Sequence, residues 1–378
     1  MRRPAPLAAL AALLVLASCT GGRPVGDLPE AQPFSSDALN FIVVGDWGRA
    51  GFFNQREVAA QMGRTADEIR ARFIVSTGDN FYTTGVASVT DSKWRRSFEE
   101  IYTAPSLQVP WYVALGNHDW QGDPFAQVAY SNRSTRWELP APYYSITGRL
   151  DDDSTDVLLV FIDTTPLADF ERAQIYPLSS LWDQDAQYAW IDSTLAASTA
   201  EWKIVIGHHP IVVGSYRYRD NPYLLGQLLP MLERRGVQMY FAGHEHNLQH
   251  LRLPGRQIEH FISGAGSLLR TPEADDNTLW ALRVPGFMSV SITPQMTYVH
   301  AIDDLGRTRY AVNVPLILGP TGPGTPATGE AFTPGEPVPA EGEGPSTETS
   351  PATEDDDTHE GDQPSPPPDS SGGGGRRP

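Results

Sequence analysis

Five short apolar runs along this chain end on a glycine followed by an acid, an amide or a histidine. Phe41-Ile42-Val43-Val44 meets Gly45-Asp46, and Phe73-Ile74-Val75 leads through Ser76-Thr77 to Gly78-Asp79. Trp111 to Leu115 meets Gly116-Asn117-His118-Asp119, Lys203 to Ile206 meets Gly207-His208-His209, and Val237 to Phe241 leads to Gly243-His244-Glu245-His246. A continuous apolar run bounded by turn residues reads as a strand buried on both faces. Between the first two runs, Val58, Met62 and Ile69 recur at helical spacing and predict an amphipathic helix over 54–72. A strand, helix, strand unit implies a sheet that is at least partly parallel, and hence the α/β class.

The same reading predicts helices over 93–102, 184–195 and 223–235, and a strand over 157–162. Residues 120–148, rich in aromatics, proline and asparagine, read as a loop-rich insertion. Three runs near the end, 258–263, 287–292 and 297–302, carry β-branched and aromatic residues without intervening helices, which predicts antiparallel pairing. Nothing between the halves reads as a linker, so one domain is expected over 39–318.

Composition changes the picture at both ends. From Gly319 the chain is Pro, Gly, Thr, Ser and Glu with few apolar residues, which predicts a disordered tail. That tail holds 12 acids and 2 arginines, so it supplies −10 of the formal −18 net charge. No basic stripe remains, and nucleic acid is not an expected partner. At the start, Arg2-Arg3 and the apolar stretch 7–17 fit the core of an export signal, too short to span a bilayer. It closes on Leu16-Ala17-Ser18-Cys19, which resembles the bacterial lipobox. That resemblance implies a signal over 1–19, lipidation at Cys19, a tether over 20–38, and an exported protein anchored to a bacterial membrane in the cell envelope. Cys19 is the single cysteine, so no intramolecular disulfide can form.

The polar residues gathered at the run ends are Asp46, Asp79, Tyr82, Asn117, His118, His208, His209, His244 and His246. Hard oxygen donors mixed with imidazoles, and no thiolate, suit iron, manganese or zinc rather than calcium. If all five segments leave one edge of the sheet, ligands far apart in sequence converge in one crevice, and a carboxylate such as Asp79 can bridge two ions. His244-X-His246 on a strand would set both imidazoles on one face.

Gly45-Asp46-Trp47-Gly48, Gly78-Asp79-Asn80-Phe81-Tyr82, Gly116-Asn117-His118-Asp119, Gly207-His208-His209-Pro210 and Gly243-His244-Glu245-His246-Asn247 resemble, in this order, the five motifs of purple acid phosphatases. The small, tartrate-resistant type within the calcineurin-like metallophosphoesterases is the closest pattern, and Tyr82 is its most specific element. The resemblance implies a β-sandwich of two mixed sheets flanked by helices, with metals at the strand C-terminal ends. It implies that Asp46, Asp79, Tyr82 and His246 hold Fe(III), and that Asp79, Asn117, His208 and His244 hold a divalent iron, zinc or manganese ion. A phenolate on Fe(III) would colour the protein purple or pink. The trivalent ion would acidify a bound water to the attacking hydroxide, and the second ion would hold the phosphate. His118 would face the substrate as the proton donor or transition-state stabiliser. His209, next to a ligand, should face away from the metals on an extended segment as a support, and with Arg217 it is a candidate for binding substrate.

One departure stands out: where the family often has another substrate-facing histidine, this chain has Tyr216-Arg217. Arg217 offers a fork of donors for phosphate and no acid. The expected activity is hydrolysis of small phosphate monoesters by a monomer. Phosphodiesterase or nucleotidase activity is the alternative within the superfamily. A surface lipoprotein that binds phosphate or iron without turnover is the alternative outside it.

Overall fold

The computed structural model describes residues 38–150, 154–168, 176, 178–215 and 219–317. Cys19, the segment before residue 38, Arg217 and the tail from Gly319 lie outside the described residues.

The described residues begin with four neighbouring strands, β1 (Leu39–Val44), β2 (Phe73–Ser76), β3 (Trp111–Val113) and the two-residue β4 (Trp137–Glu138), paired in parallel. It then builds a second sheet from β5 (Tyr144–Arg149), β6 (Asp156–Phe161), β7 (Trp202–Ile206), β8 (Met239–Ala242), β9 (Leu248–Leu251), β10 (Glu259–Ser263) and β11 (Thr278–Leu282). Three antiparallel strands, β12 (Gly286–Ile292), β13 (Met296–Asp303) and β14 (Thr308–Pro315), return to the first sheet beside β1. The orders are β14-β13-β12-β1-β2-β3-β4 and β11-β9-β10-β8-β7-β6-β5. Two mixed sheets flanked by helices are the sandwich that the motif resemblance implied.

The apolar runs are continuous because both faces of each central strand are covered. In β6, Leu159 and Phe161 join the inner core with Phe41, Val43, Ile204 and Phe241, while Leu158 and Val160 face Ile191, Leu195, Leu228 and Leu232 on the helical side. The predicted amphipathic helix is Gln55–Glu68, and its apolar side chains Val58 and Met62 are fully buried.

Several expectations are corrected. The helix expected over 93–102 is a single widened turn, Trp94–Glu99, in which the Glu100 N–H reaches back five residues to the Arg95 carbonyl at 2.9 Å. The helix expected over 223–235 divides into a wide turn, Leu224–Leu228, and an α-helix, Leu229–Arg234. Pro230, in the helix's first turn, has no N–H to continue the regular ladder across the join. Residues 120–148 are not simply loop. They contain the helix Pro124–Tyr130, capped by the Asp123 carboxylate, as well as β4 and most of β5. Of the three late strands, β12 and β13 pair antiparallel, whereas β10 is parallel to β8 and antiparallel to β9. The strands β9, β11 and β14 were not foreseen.

Candidate metal centre

The five glycine-ended turns do not leave one sheet edge. Three follow β1, β2 and β3 of the first sheet, and two follow β7 and β8 of the second, so the site lies where the carboxyl ends of the two layers meet. The first sheet supplies Asp46, Asp79, Tyr82, Asn117 and His118, and the second supplies His208, His209, His244 and His246.

Left-handed backbone aims three of these side chains. Asp46, Asp79 and His244 adopt φ values of 59°, 50° and 67°. A non-glycine residue held there costs about 1–3 kcal/mol, a strain that concentrates at functional positions. Close approach makes room for them: a Cβ on Gly116 would lie 2.2 Å from Asp79 Oδ1 and 2.4 Å from the Asp79 amide nitrogen.

Two groups of donors result. In the first, Tyr82 Oη lies 2.9 Å from Asp46 Oδ1, 2.8 Å from Asp79 Oδ2 and 3.2 Å from His246 Nε2. His246 Nε2 is 3.4 Å from Asp46 Oδ1. In the second, Asn117 Oδ1 is 3.0 Å from His208 Nε2 and 3.1 Å from His244 Nδ1, and the two ring nitrogens are 3.2 Å apart. Asp79 joins both groups, because its other oxygen, Oδ1, lies 3.4 Å from His208 Nε2. The expectation that His244 and His246 share a strand face is therefore corrected. Both lie in the turn after β8, where the positive φ of His244 breaks the period-two alternation and sends the imidazoles to different groups.

His209 is also corrected. Its ring does not turn away but packs against His208 and His244, with centroids 4.9 and 4.6 Å off. Its Nδ1 lies 3.0 Å from Thr164 Oγ1, and one of its ring nitrogens falls within 4.8 Å of one on His208 and one on His244.

The electrostatics fit a cation. Burial, with Asp79 close by, pushes the Asp46 carboxyl well above the usual range. Burial acts the same way on Asp79, yet the imidazoles of His208 and His118 outweigh it and hold Asp79 below its ordinary value. Burial and then the two carboxylates push the Tyr82 phenol far up. Burial is the main cause that lowers His208, His244 and His246, since it disfavours the charged ring; at His208 the Asp79 carboxylate opposes it. Two carboxylates, a phenol oxygen and an imidazole nitrogen facing one another at contact distance share few protons, and a metal ion is what such a donor set suits.

Surrounding bonds orient these donors. His208 Nδ1 faces the Thr77 carbonyl at 3.0 Å; a carbonyl only accepts, so this nitrogen carries the hydrogen and Nε2 offers its lone pair to the centre. His118 Nδ1 likewise donates to the Thr83 carbonyl, which leaves Nε2 3.9 Å from Asp79 Oδ2, while the His118 amide donates to Asp79 Oδ1 at 2.9 Å. Asp119, which follows, is fully buried and pushed up to about 7 by burial and by Asp79. It accepts from Gly116, Asn80 and Gln127, so it ties the two turns together rather than facing the centre.

Two cations went unforeseen. The Arg270 guanidinium donates to the His244 carbonyl at 3.2 Å, and Arg49 lies over the Tyr82 ring. Arg49 follows the glycine of the first run at the same offset as Tyr82 follows Gly78 but is not a ligand type, and Arg270 follows none of the five runs, so the fold alone shows what the two cations meet.

The calcineurin-like phosphoesterase family model matches residues 39–248. Purple acid phosphatase 4 of Arabidopsis thaliana is 38% identical over 289 residues, covering 70% of this chain and 80% of that protein. Tartrate-resistant acid phosphatase type 5 of Oryctolagus cuniculus is 34% identical over 313 residues, covering 76% and 94%. Among solved structures, GAP50, described as the anchor in the inner membrane complex of Plasmodium, superposes with a TM-score of 0.67 at 23% identity, over 75% of this chain and 90% of that one, a likeness of fold.

Proposed function

This chain belongs to the calcineurin-like phosphoesterase family and is a hydrolase acting on phosphate esters, and from that premise we propose that it cleaves phosphate monoesters at a dinuclear centre of one ferric and one divalent ion. The observation that carries the reading is Asp79, which turns one carboxylate oxygen to each donor group. Asp46, Asp79, Tyr82 and His246 would hold the ferric ion, and Asp79, Asn117, His208 and His244 the divalent iron, zinc or manganese. When bound, the pair supplies positive charge that acidifies a water and offsets the charge of the phosphoryl group.

The chain's own contribution is placement and proton control. Tyr82, with an oxygen whose other neighbours are carboxylates and an imidazole, selects a hard trivalent ion. The Thr77 carbonyl fixes the tautomer of His208. His118, locked by the Thr83 carbonyl, presents Nε2 to the cluster and carries there the proton that the leaving oxygen receives. Lipidation of Cys19 would tether this chemistry to the envelope.

The test uses the purified, metal-loaded protein. Stoichiometric iron with a second metal, a visible charge-transfer band, and faster release from para-nitrophenyl phosphate than from its bis ester are expected. Preference for the diester would favour the phosphodiesterase reading, and turnover of neither ester would overturn the enzymatic one. Labelling by a palmitate probe that Cys19→Ser abolishes is expected for the anchor.

A further inference from the structure

The turn after β1 carries a charged side chain that the ligand set does not use. Arg49 is 7% exposed, and its guanidinium carbon lies 3.7 Å from the centroid of the Tyr82 ring and 5.7 Å from that of Phe53. The backbone builds this stack. The Tyr82 amide donates to the Gly48 carbonyl at 3.0 Å, and the Asp46 amide donates to the Gly78 carbonyl at 3.1 Å, so the turns after β1 and β2 are laced together. A Cβ at Gly48 would fall 1.8 Å from the Asn80 carbonyl oxygen; only glycine admits that approach. Gln55 Oε1 then accepts from the amides of Arg49, at 3.1 Å, and Gly51, at 2.7 Å, and pins the turn to the start of the helix Gln55–Glu68.

Tyr82 is thus gripped at both of its chemical ends. Its oxygen sits among Asp46, Asp79 and His246, and its ring face meets a full positive charge. A planar guanidinium on a ring face is attracted by the ring's electrons, and more strongly when the oxygen bears negative charge. We propose that Arg49 is a positioning residue for the metal centre: its charge over the ring lowers the energy of the electrons that Tyr82 shares through its oxygen, and so sets how strongly that oxygen donates to the ferric ion. The inference rests on the ferric–phenolate reading given above.

The experiment is the visible spectrum of the iron-loaded protein in wild type, Arg49→Met, Arg49→Gln and Arg49→Lys, each paired with a thermal melt. Removing the charge raises the phenolate donor level, so the band moves to longer wavelength in both neutral variants. It returns toward the wild-type position in Arg49→Lys. A residue that only clips the turn would lower the melting temperature and leave the band in place. Two neutral variants are used so that a folding failure in one leaves the other to report. A wild-type band position in a folded neutral variant overturns the proposal for Arg49 alone. A colourless wild type with full iron content overturns the ferric–phenolate reading and this inference with it.

Discussion

Replacing His260 with leucine should flatten the acid side of the stability profile. His260 lies on β10 between β8 and β9, is 2% exposed, and shares its face with Ile258 and Ile262 opposite Tyr240. Neither ring nitrogen has a hydrogen-bond partner among the described residues. Burial, opposed by Glu259 and aided by His250, lowers its pKa from 6.5 to about 4. The folded state therefore binds fewer protons than the unfolded state between about pH 4 and 6.5, and stability falls as pH drops through that window. For these two values the loss attributable to this ring is about 2 kcal/mol at pH 5 and about 3 kcal/mol at pH 4, relative to neutral pH. Leucine has a similar volume and no proton to gain. The assay is urea denaturation of wild type and His260→Leu, both metal-loaded, at pH 7 and pH 5. The difference in unfolding free energy should shift by about 2 kcal/mol in favour of the variant on acidification. A difference that stays constant would refute the assignment, because it would mean that the folded protein protonates this ring as easily as the unfolded chain does.

Tyr82→Phe keeps the ring under Arg49 and deletes only the oxygen, so the visible band should vanish while the circular dichroism spectrum stays at wild type. His118→Gln should lower kcat roughly 100- to 10,000-fold with metal content unchanged, since the ring bonds to the Thr83 carbonyl and not to either donor group; metal analysis and para-nitrophenyl phosphate kinetics separate the two effects. Gly116→Ala places a methyl 2.2 Å from Asp79 Oδ1 and should weaken metal binding by about 10- to 100-fold, read by competition with a chelator.

The turns that bring the donor side chains together were legible because each sits where a run buried on both faces stops, and a glycine marks the stop. Position along a strand was a poorer guide to direction. His244 and His246 would share a face only on extended backbone, and the turn after β8 is not extended. Length was hidden where polar and aromatic residues mix. In β5 the sequence Tyr144-Ser145-Ile146-Thr147 alternates buried and exposed positions, yet its identity as a strand depends on pairing with β6, a partner whose residues lie up to 17 positions further on. Arg49 could be placed in the first glycine-ended turn but not against a partner, and Arg270 could be placed in neither way. Their partners, Tyr82 and His244, are 33 and 26 residues away, and ring stacking or a bond to a main-chain carbonyl leaves no spacing rule in the sequence.

The division of the candidate ligands between the two sheets makes metal occupancy and architecture one problem. In each donor group an acid, amide or phenol from the first layer faces a histidine from the second, so any ion held there is a rivet through the seam of the sandwich. An empty seam would bring Asp46 and Asp79 together without the charge that reconciles them, and a filled one adds the free energy of ion binding to the cohesion of the layers, about 2.7 kcal/mol at a hundredfold excess over the dissociation constant. The catalytic centre is, by this arrangement, also the clasp that closes the fold.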